Sequence, residues 1–403
     1  MAVSGRSVQR VPVEELDPWA RAEWYGLFDR QEGVANPFCS PLWVEHWYST
    51  HVPRPEDRHL LFVRDEESRL VGVAAMHEQA VGPRRLPVGR RLVPVGYGRS
   101  TPLELPQVLS ARGQARAVHQ AVVRHCRDVG TDWAELSIPR DEAWFEPAWV
   151  QDTTAESPYH AHRAARACVV LPLQESWEAT RGEFKRNLKE SLRRGRNRLT
   201  RSGRSWQLRT LEGAEIDEAA VHRFFGLHAA RAGFAGSTST HPDAYADDSA
   251  RGFLTALLPR LADAKEASLV ELVVDGEVVA VQLALHAPGC TYVHSSGLDP
   301  AYWEFSAVTL LQAEVVRSAA ERGDRVVNFS PGPNVAKMRW SERVHVVDDF
   351  AFATGSRASG LRYLAFSQLA AVKQFRHAVA VARSNSPAAP TGSAAAPGAP
   401  SAG

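Results

Sequence analysis

Between Leu269 and Trp340 the order of residues leaves little choice of local fold. Ser268 to Val274 is apolar and β-branched, Asp275-Gly276 supplies two positions that tolerate φ > 0, and Glu277 to His286 carries the chain back. A two-residue hairpin requires that pattern. Cys290 to Ser296 reads as a third strand, closed by the polar loop Gly297-Leu298-Asp299-Pro300. After Tyr302-Trp303-Glu304-Phe305 a helix is expected to open with Ser306 as its N-cap. Val308, Leu311, Val315 and Ala319 fall on one face of it, and Gly323 sits where a glycine would end it. A strand and a basic segment follow, as far as Trp340. A helix that starts this soon after a strand offers unpaired N–H groups and the positive end of its dipole, each worth a few tenths to about 1 kcal/mol toward an anion. Phosphates of a ligand are therefore expected over the N–H groups of Ala307 to Thr309.

The same order of elements occurs earlier. Leu60 to Arg64 and Leu70 to Met76 read as a hairpin, Arg91 to Val95 as a strand, Gln114 to Val129 as a helix closed by Gly130, and Trp133 to Ile138 as the next strand. Hairpin, strand, helix and strand thus appear twice, so the chain reads as an internally duplicated α/β protein. Its 403 residues are enough for two domains with real cores. The expected division is 10–140, a connection over 141–166, a second domain over 167–355, a helix over 356–383 and a disordered tail over 384–403. Ahead of the first hairpin, Asp17-Pro18 and Ser40-Pro41 look like caps of two short helices, the first ending near Gly33, with Trp43, Val44 and Trp47 buried. In the second half, Cys168 to Leu173 reads as a strand and Ser176 as the cap of a helix with the stripe Phe184, Leu188, Leu192 and Leu199. Asp217 to Ala232 is a helix in which His228 is packed and not catalytic. Gly233 to Asp248 is a polar loop, and a helix from about Arg251 is expected to break or kink at Pro259. Val344 to Ala353 is strand-like, and Leu361, Leu364, Leu369, Val372 and Val379 form an apolar stripe on the last helix.

Charge is nearly balanced overall, 47 Lys and Arg against 46 Asp and Glu, which argues against a general nucleic-acid binder. It is not balanced locally. From Arg181 to Arg209 eleven Lys or Arg face only Glu183 and Glu190, a local balance of +9. This segment, with Lys185, Arg186, Arg193 and Arg194 at its centre, is either a solvated helix face or a ridge that concentrates phosphate-bearing ligands. Met1 to Gln9 lacks the apolar core of a signal peptide, and no run reaches the roughly eighteen apolar residues of a membrane helix, so a soluble, cytoplasmic protein is expected. Cys39, Cys126, Cys168 and Cys290 lie far apart with no metal-ligand spacing, and no metal is expected. There is no GxxxxGK[ST], HExxH or GxSxG, and Gly96-Tyr97-Gly98 lacks the rest of a dinucleotide fingerprint.

What remains is metal-free group transfer to an amine, which needs positioning, a hydrogen-bond donor for an oxyanion and a proton acceptor. Period-two alternation puts Cys290, Tyr292, His294 and Ser296 on one face. His294 is then a candidate proton acceptor with Tyr292 or Tyr302 as donor, or else a hydrogen-bonded strand histidine. Glu304 is a base acting through water or a surface carboxylate. Lys337 and Arg339 either hold a phosphate or cap the edge of the fold, and Trp340 is expected to pack.

Five stretches carry a resemblance: Asn36-Pro-Phe-Cys-Ser-Pro-Leu-Trp43, Phe184 to Arg194, Val274-Asp-Gly-Glu-Val-Val-Ala280, Leu298-Asp-Pro-Ala-Tyr302 and Asn328-Phe-Ser-Pro-Gly-Pro-Asn-Val-Ala-Lys337. Together they resemble the BioF2-like or CelD-type acetyltransferases, a family of the GNAT superfamily similar in fold to the Fem peptidyltransferases. The resemblance implies two tandem GNAT-like domains, mixed sheets flanked by helices, and an acyltransferase. It implies acetyl-CoA or another acyl-CoA as donor, or aminoacyl-tRNA as in the Fem branch, and a small-molecule or glycan amine as acceptor. Ser306, Ala307, Val308 and Thr309, with Lys337 and Arg339, would hold the donor. The family commonly has Ser-Pro-Gly at that helix start, where this chain has Ser306-Ala307-Val308. A binding protein that kept the fold without the activity is the reading from another class.

Overall fold

The structure is a computed structural model that describes residues 6–31, 34–82, 87–97, 104–105, 107–140, 160–234, 243–354 and 356–384. Residues 141–159 of the expected connection, Gly33, Gly98, part of the Gly233 to Asp248 loop and the tail from 385 lie outside the described residues.

The first half begins with β1 (Ser7–Val11), α1 (Pro18–Phe28) and α2 (Pro41–His51), then the hairpin β2 (Arg58–Arg64) and β3 (Leu70–Val81). β4 (Gly89–Pro94), the short β5 (Leu109–Ser110), α3 (Ala115–Asp128) and β6 (Trp133–Pro139) complete it. β7 (His160–Pro172) leads into α4 (Trp177–Gly182), α5 (Arg186–Arg201), β8 (Trp206–Leu211), α6 (Glu218–Ala232) and α7 (Asp248–Asp263). The segment that opened the sequence reading becomes β9 (Ala267–Val274), β10 (Glu277–Ala287), β11 (Cys290–Leu298), α8 (Ala307–Glu321) and β12 (Val326–Pro331). A single turn α9 (Val335–Met338), β13 (Val344–Ala353) and α10 (Arg357–Ser384) follow. Asp275 and Gly276 both have positive φ, 51° and 89°, as the hairpin turn between β9 and β10 requires.

Among the described residues the strands form one 13-stranded sheet, ordered β1-β2-β3-β4-β6-β13-β7-β12-β11-β10-β9-β8, with β5 beside β3. The order reads alike from either end: an edge strand, a hairpin, a third strand and then, across a helix, a strand parallel to it. β4 with β6 and β11 with β12 are the parallel pairs. The sixth strand of the first half, β13, comes from the far end of the second, whereas the sixth strand of the second half is its own first strand, β7. β13 pairs with β6, β7 pairs with β12, and β7 and β13 run antiparallel to each other from Val344↔Val169 to Phe352↔His160. Residues 160–166, expected in the connection, are thus strand. Their Ala, His and Arg composition gives no apolar run, and their pairing comes from β13.

Helices cover both faces. Val118, Val122 and Cys126 of α3 pack on Leu61, Leu92 and Leu136, and Leu310, Leu311 and Val315 of α8 pack with Leu188, Leu192 and Leu199 of α5. On the other face α1 and α2 share one cluster with α6 and α7. Trp43 meets Phe253 edge to face at 5.4 Å, a contact between halves worth about 1 kcal/mol beyond its buried area. Several expected ends differ. Asp17 caps α1 through Ala20 N–H, but the Ser40 hydroxyl goes to Glu266 and not to a cap. The helix expected after Ser176 is two, α4 and α5, parted at Glu183 to Lys185, and α7 begins at Asp248 and runs unbroken through Pro259. No helix among the described residues is long and apolar enough to cross a membrane.

Candidate active site

β11 and β12 pair only from Cys290↔Val326 to Tyr292↔Asn328. Beyond that point both continue, β11 to Leu298 and β12 to Pro331, but their facing edges no longer bond to each other, so a wedge opens in the middle of the second half. Just past the split β11 bulges. The pairs Gln282↔Ser296 and Ala284↔Val293 leave both His294 and Ser295 opposite Leu283. The buried Gln282 amide fixes the bulge, donating to the carbonyls of Leu283 and Ser295, each at 2.9 Å. A bulge resets the alternation of side chains. The expected common face of Cys290, Tyr292, His294 and Ser296 is therefore interrupted, and Ser295 joins His294. The Tyr245 hydroxyl lies 2.9 Å from Ser295 Oγ and 3.4 Å from His294 Nδ1, and Ser295 Oγ is 2.9 Å from the same nitrogen. Ser296 Oγ accepts from Arg231, whose guanidinium has no acidic partner among the described residues and is pushed down to about 10 by burial. His228 is packed, as read from the sequence. Its Nε2 accepts from Ala244 N–H at 3.3 Å, so Nδ1 carries the proton and donates to Ser296 O at 3.0 Å.

The β12 side of the wedge ends on Ser330, at φ 63°. Asn328 Oδ1 accepts from Ser330 N–H, and Lys337 Nζ donates to Pro331 O at 2.8 Å and to Ser330 O and Oγ at 3.2 Å. Burial pushes the Lys337 ammonium down to about 8. Trp340 packs behind it, stacked on Phe329 at 5.1 Å and edge-on to Phe184 at 5.4 Å.

A second feature lies at the start of α8. Asn187, Glu190, Ser191, Arg194 and Arg198, spaced by three and four along α5, line a pocket of about 320 Å³ with Ser306 and Arg339. Gly195 lets α5 come this close, since a Cβ there would stand 2.7 Å from the Phe305 carbonyl oxygen. Three guanidiniums meet one carboxylate. Arg194 bonds Glu190 at 2.6 Å, and the hydrogen bonds from Arg194 and Arg186 hold that carboxyl below its ordinary value. Among the described residues Arg198 and Arg339 bond only the backbone carbonyls of Glu304 and Asn187. Ser306 is not the expected cap: it sits in the left-handed region at φ 56°, ψ 35°, with no side-chain cap bond. Its carbonyl accepts from Thr309 and Leu310, so of the three expected donors Ala307 and Val308, and not Thr309, keep N–H groups with no partner among the described residues.

The structure thus gathers Ser306, Arg339 and Arg194 from three separate expectations. Tyr292 keeps its ring 6.1 Å from that of His294, but it is 1% exposed and packed edge-on against Phe38, and burial raises its phenol well above the ordinary value. Others go elsewhere. Tyr302 takes a hydrogen bond from Arg204 at 2.8 Å, Glu304 is exposed, and neither touches His294. Lys185 bonds Glu342 at 2.7 Å, while Arg186 and Arg193 face solvent. Tyr245, Ser295 and Arg231 were not singled out in the sequence, and the three-and-four spacing along α5 was the available signal for Asn187 and Ser191. No cluster of His, Cys, Asp or Glu able to hold a metal occurs among the described residues.

Residues 186–338 match the family model described as an acetyltransferase (GNAT) domain. The crystal structure of FemX is similar over 85% of this chain and 96% of its own, with TM-score 0.60 and 10% identity. The fold is that of the GNAT superfamily, in its Fem-like form. The same Fem-like fold is shared at TM-score 0.52 and 12% identity with a conserved protein of unknown function from Bacteroides thetaiotaomicron, over 83% of this chain and 97% of that one. At TM-score 0.50 and 9% identity it is shared with the C-terminal domain of a putative lysylphosphatidylglycerol synthetase from Agrobacterium fabrum, over 85% and 94%. No curated protein matches the chain.

Proposed function

We propose that the chain is a cytoplasmic N-acyltransferase of the BioF2-like or CelD type that moves an acyl group, acetyl in the first instance, from acyl-CoA to a small-molecule or glycan amine. The observation that carries this reading is the pocket of Arg194, Arg198 and Arg339 at the open N–H groups of α8. It suits the phosphates of a donor whose acyl arm enters the wedge between β11 and β12. The neutral amine attacks the thioester carbonyl, a C–N bond forms, the C–S bond breaks, and the thiolate leaves. His294, in its hydrogen-bonded group with Ser295 and Tyr245, takes the proton the amine loses, and protonated Lys337 stabilises the oxyanion. In this reading 167–355 is the catalytic GNAT-like domain, 10–140 its non-catalytic counterpart, 141–166 the connection, and 356–383 an added helix.

Isothermal calorimetry with acetyl-CoA tests the donor. Binding is expected, and Arg194→Glu with Arg339→Glu is expected to weaken it by at least about tenfold. The exposed basic face of α5 favours a second donor, aminoacyl-tRNA. A gel shift with bulk tRNA that is clear at low salt and fades at moderate salt, without any heat from acetyl-CoA, supports that donor. Heat from neither leaves a binding protein that kept the fold.

A further inference from the structure

The last helix is turned the opposite way from what its sequence suggests. Tyr363 and Phe366 of α10 pack on Trp133, at ring distances of 5.8 and 5.1 Å, and Arg362 bonds Asp132 at 2.7 Å. The apolar stripe points outward: Leu361 is 62% exposed, Leu364 38%, Leu369 63% and Val372 48%. At 100° per residue these four, with Ala365 and Ala371 and one polar side chain, Gln368, occupy one broad arc opposite the packed face. A helix apolar on both sides calls for cover on both, and the described residues supply only one.

Charge indicates what supplies the other. Across its 28 residues α10 carries Arg357, Lys373, Arg376 and Arg383, besides Arg362 paired with Asp132, and no Asp or Glu, and no acidic residue follows Asp349 in the sequence. Two copies of such a helix would bring like charges together, which disfavours a symmetric pairing through this face. A long helix with an exposed Leu-rich arc and only positive charge suits an anionic phospholipid surface, with leucines among the upper acyl chains and cations among the headgroups. We propose that α10 seats the protein on an anionic bilayer, lying in its plane and not crossing it.

The full chain is to be mixed with vesicles of phosphatidylcholine alone, with vesicles that also contain phosphatidylglycerol, and sedimented. Partitioning onto the anionic vesicles should exceed that onto the neutral ones by about tenfold or more and fall with added salt. Leu361→Ser with Leu369→Ser should abolish it while thermal unfolding stays unchanged, since both side chains are exposed. Calorimetry with acetyl-CoA should also be unaltered, which separates this proposal from the donor reading. Equal partitioning onto both vesicles, or none, overturns it. So does a concentration-dependent dimer lost on the same substitutions, which would make a second copy the cover.

Discussion

At Lys337 burial works against the charge that the carbonyls of Ser330 and Pro331 receive. Its ammonium is pushed from 10.5 down to about 8, so between those values the unfolded chain binds the proton that the folded one has released. The stability penalty is therefore full below about pH 8 and lifts as pH rises toward 10.5. Lys337→Met should raise stability at pH 7 by about 1 to 3 kcal/mol in urea unfolding and cut acyl transfer about a hundredfold. An unchanged rate would remove Lys337 from the chemistry. In the wild type the rate should decline above pH 8 as the cation is lost. Glu266 gives the opposite slope. Burial raises it from 4.5 to about 7 despite the Ser40 hydroxyl, so the fold holds the proton more tightly, and this contribution is complete below 4.5 and lost as pH climbs through 7. Glu266→Gln should stabilise the protein by about 2 kcal/mol at pH 8 and by little at pH 5, read from unfolding curves at the two values. Neither residue's titration was legible in the sequence, because burial is set by tertiary packing, and the groups that oppose its effect lie far along the chain, Ser40 for Glu266 and Cys168 for Lys337.

Among the elements, those with apolar runs and a demanding turn were readable, and those decided by tertiary contact were not. The β9–β10 hairpin follows from Asp275-Gly276, since few other residues accept φ > 0 twice in succession. The edge strands β1 and β8 escaped because half their side chains face solvent, so Ser7–Val11 and Trp206–Leu211 look like loops. The bulge at His294 and Ser295 is hidden because both flanking residues would be buried in a regular strand as well. Ser306 misled because cap preferences assume extended backbone, whereas here it is left-handed. Ser306→Ala should accordingly cost only a few tenths of a kcal/mol, against about 1 for a true cap. The contact between α5 and α8 rests on Gly195. Gly195→Val should lift α5 from Phe305, weaken acetyl-CoA binding about tenfold or more, and leave β-sheet circular dichroism intact. Val308→Asp, beside the open N–H groups, should weaken the donor similarly without loss of fold. Full donor affinity in both variants would place the phosphates outside this pocket.

For the whole molecule, the exchange that sends β13 of the second half to β6 of the first, while it still pairs with β7, makes the sheet continuous, and α1, α2, α6 and α7 share one core beneath it. Thermal unfolding should therefore be a single transition with matching calorimetric and van't Hoff enthalpies, and two resolved transitions would mean separable halves. Truncation before Val344 should give insoluble protein, because it bares the edges of β6 and β7 together. The duplication itself was legible as a repeated order of elements. The exchange was not, because nothing in Val344–Ala353 names β6 as its partner. The exchange also bears on synthesis. As the chain leaves the ribosome, β6 emerges with Trp133–Pro139, yet the strand that covers it is not made until Val344–Ala353. The first half must wait, its sheet unfinished, until about two hundred further residues have been translated, and a chaperone that holds nascent chains would have its longest task there.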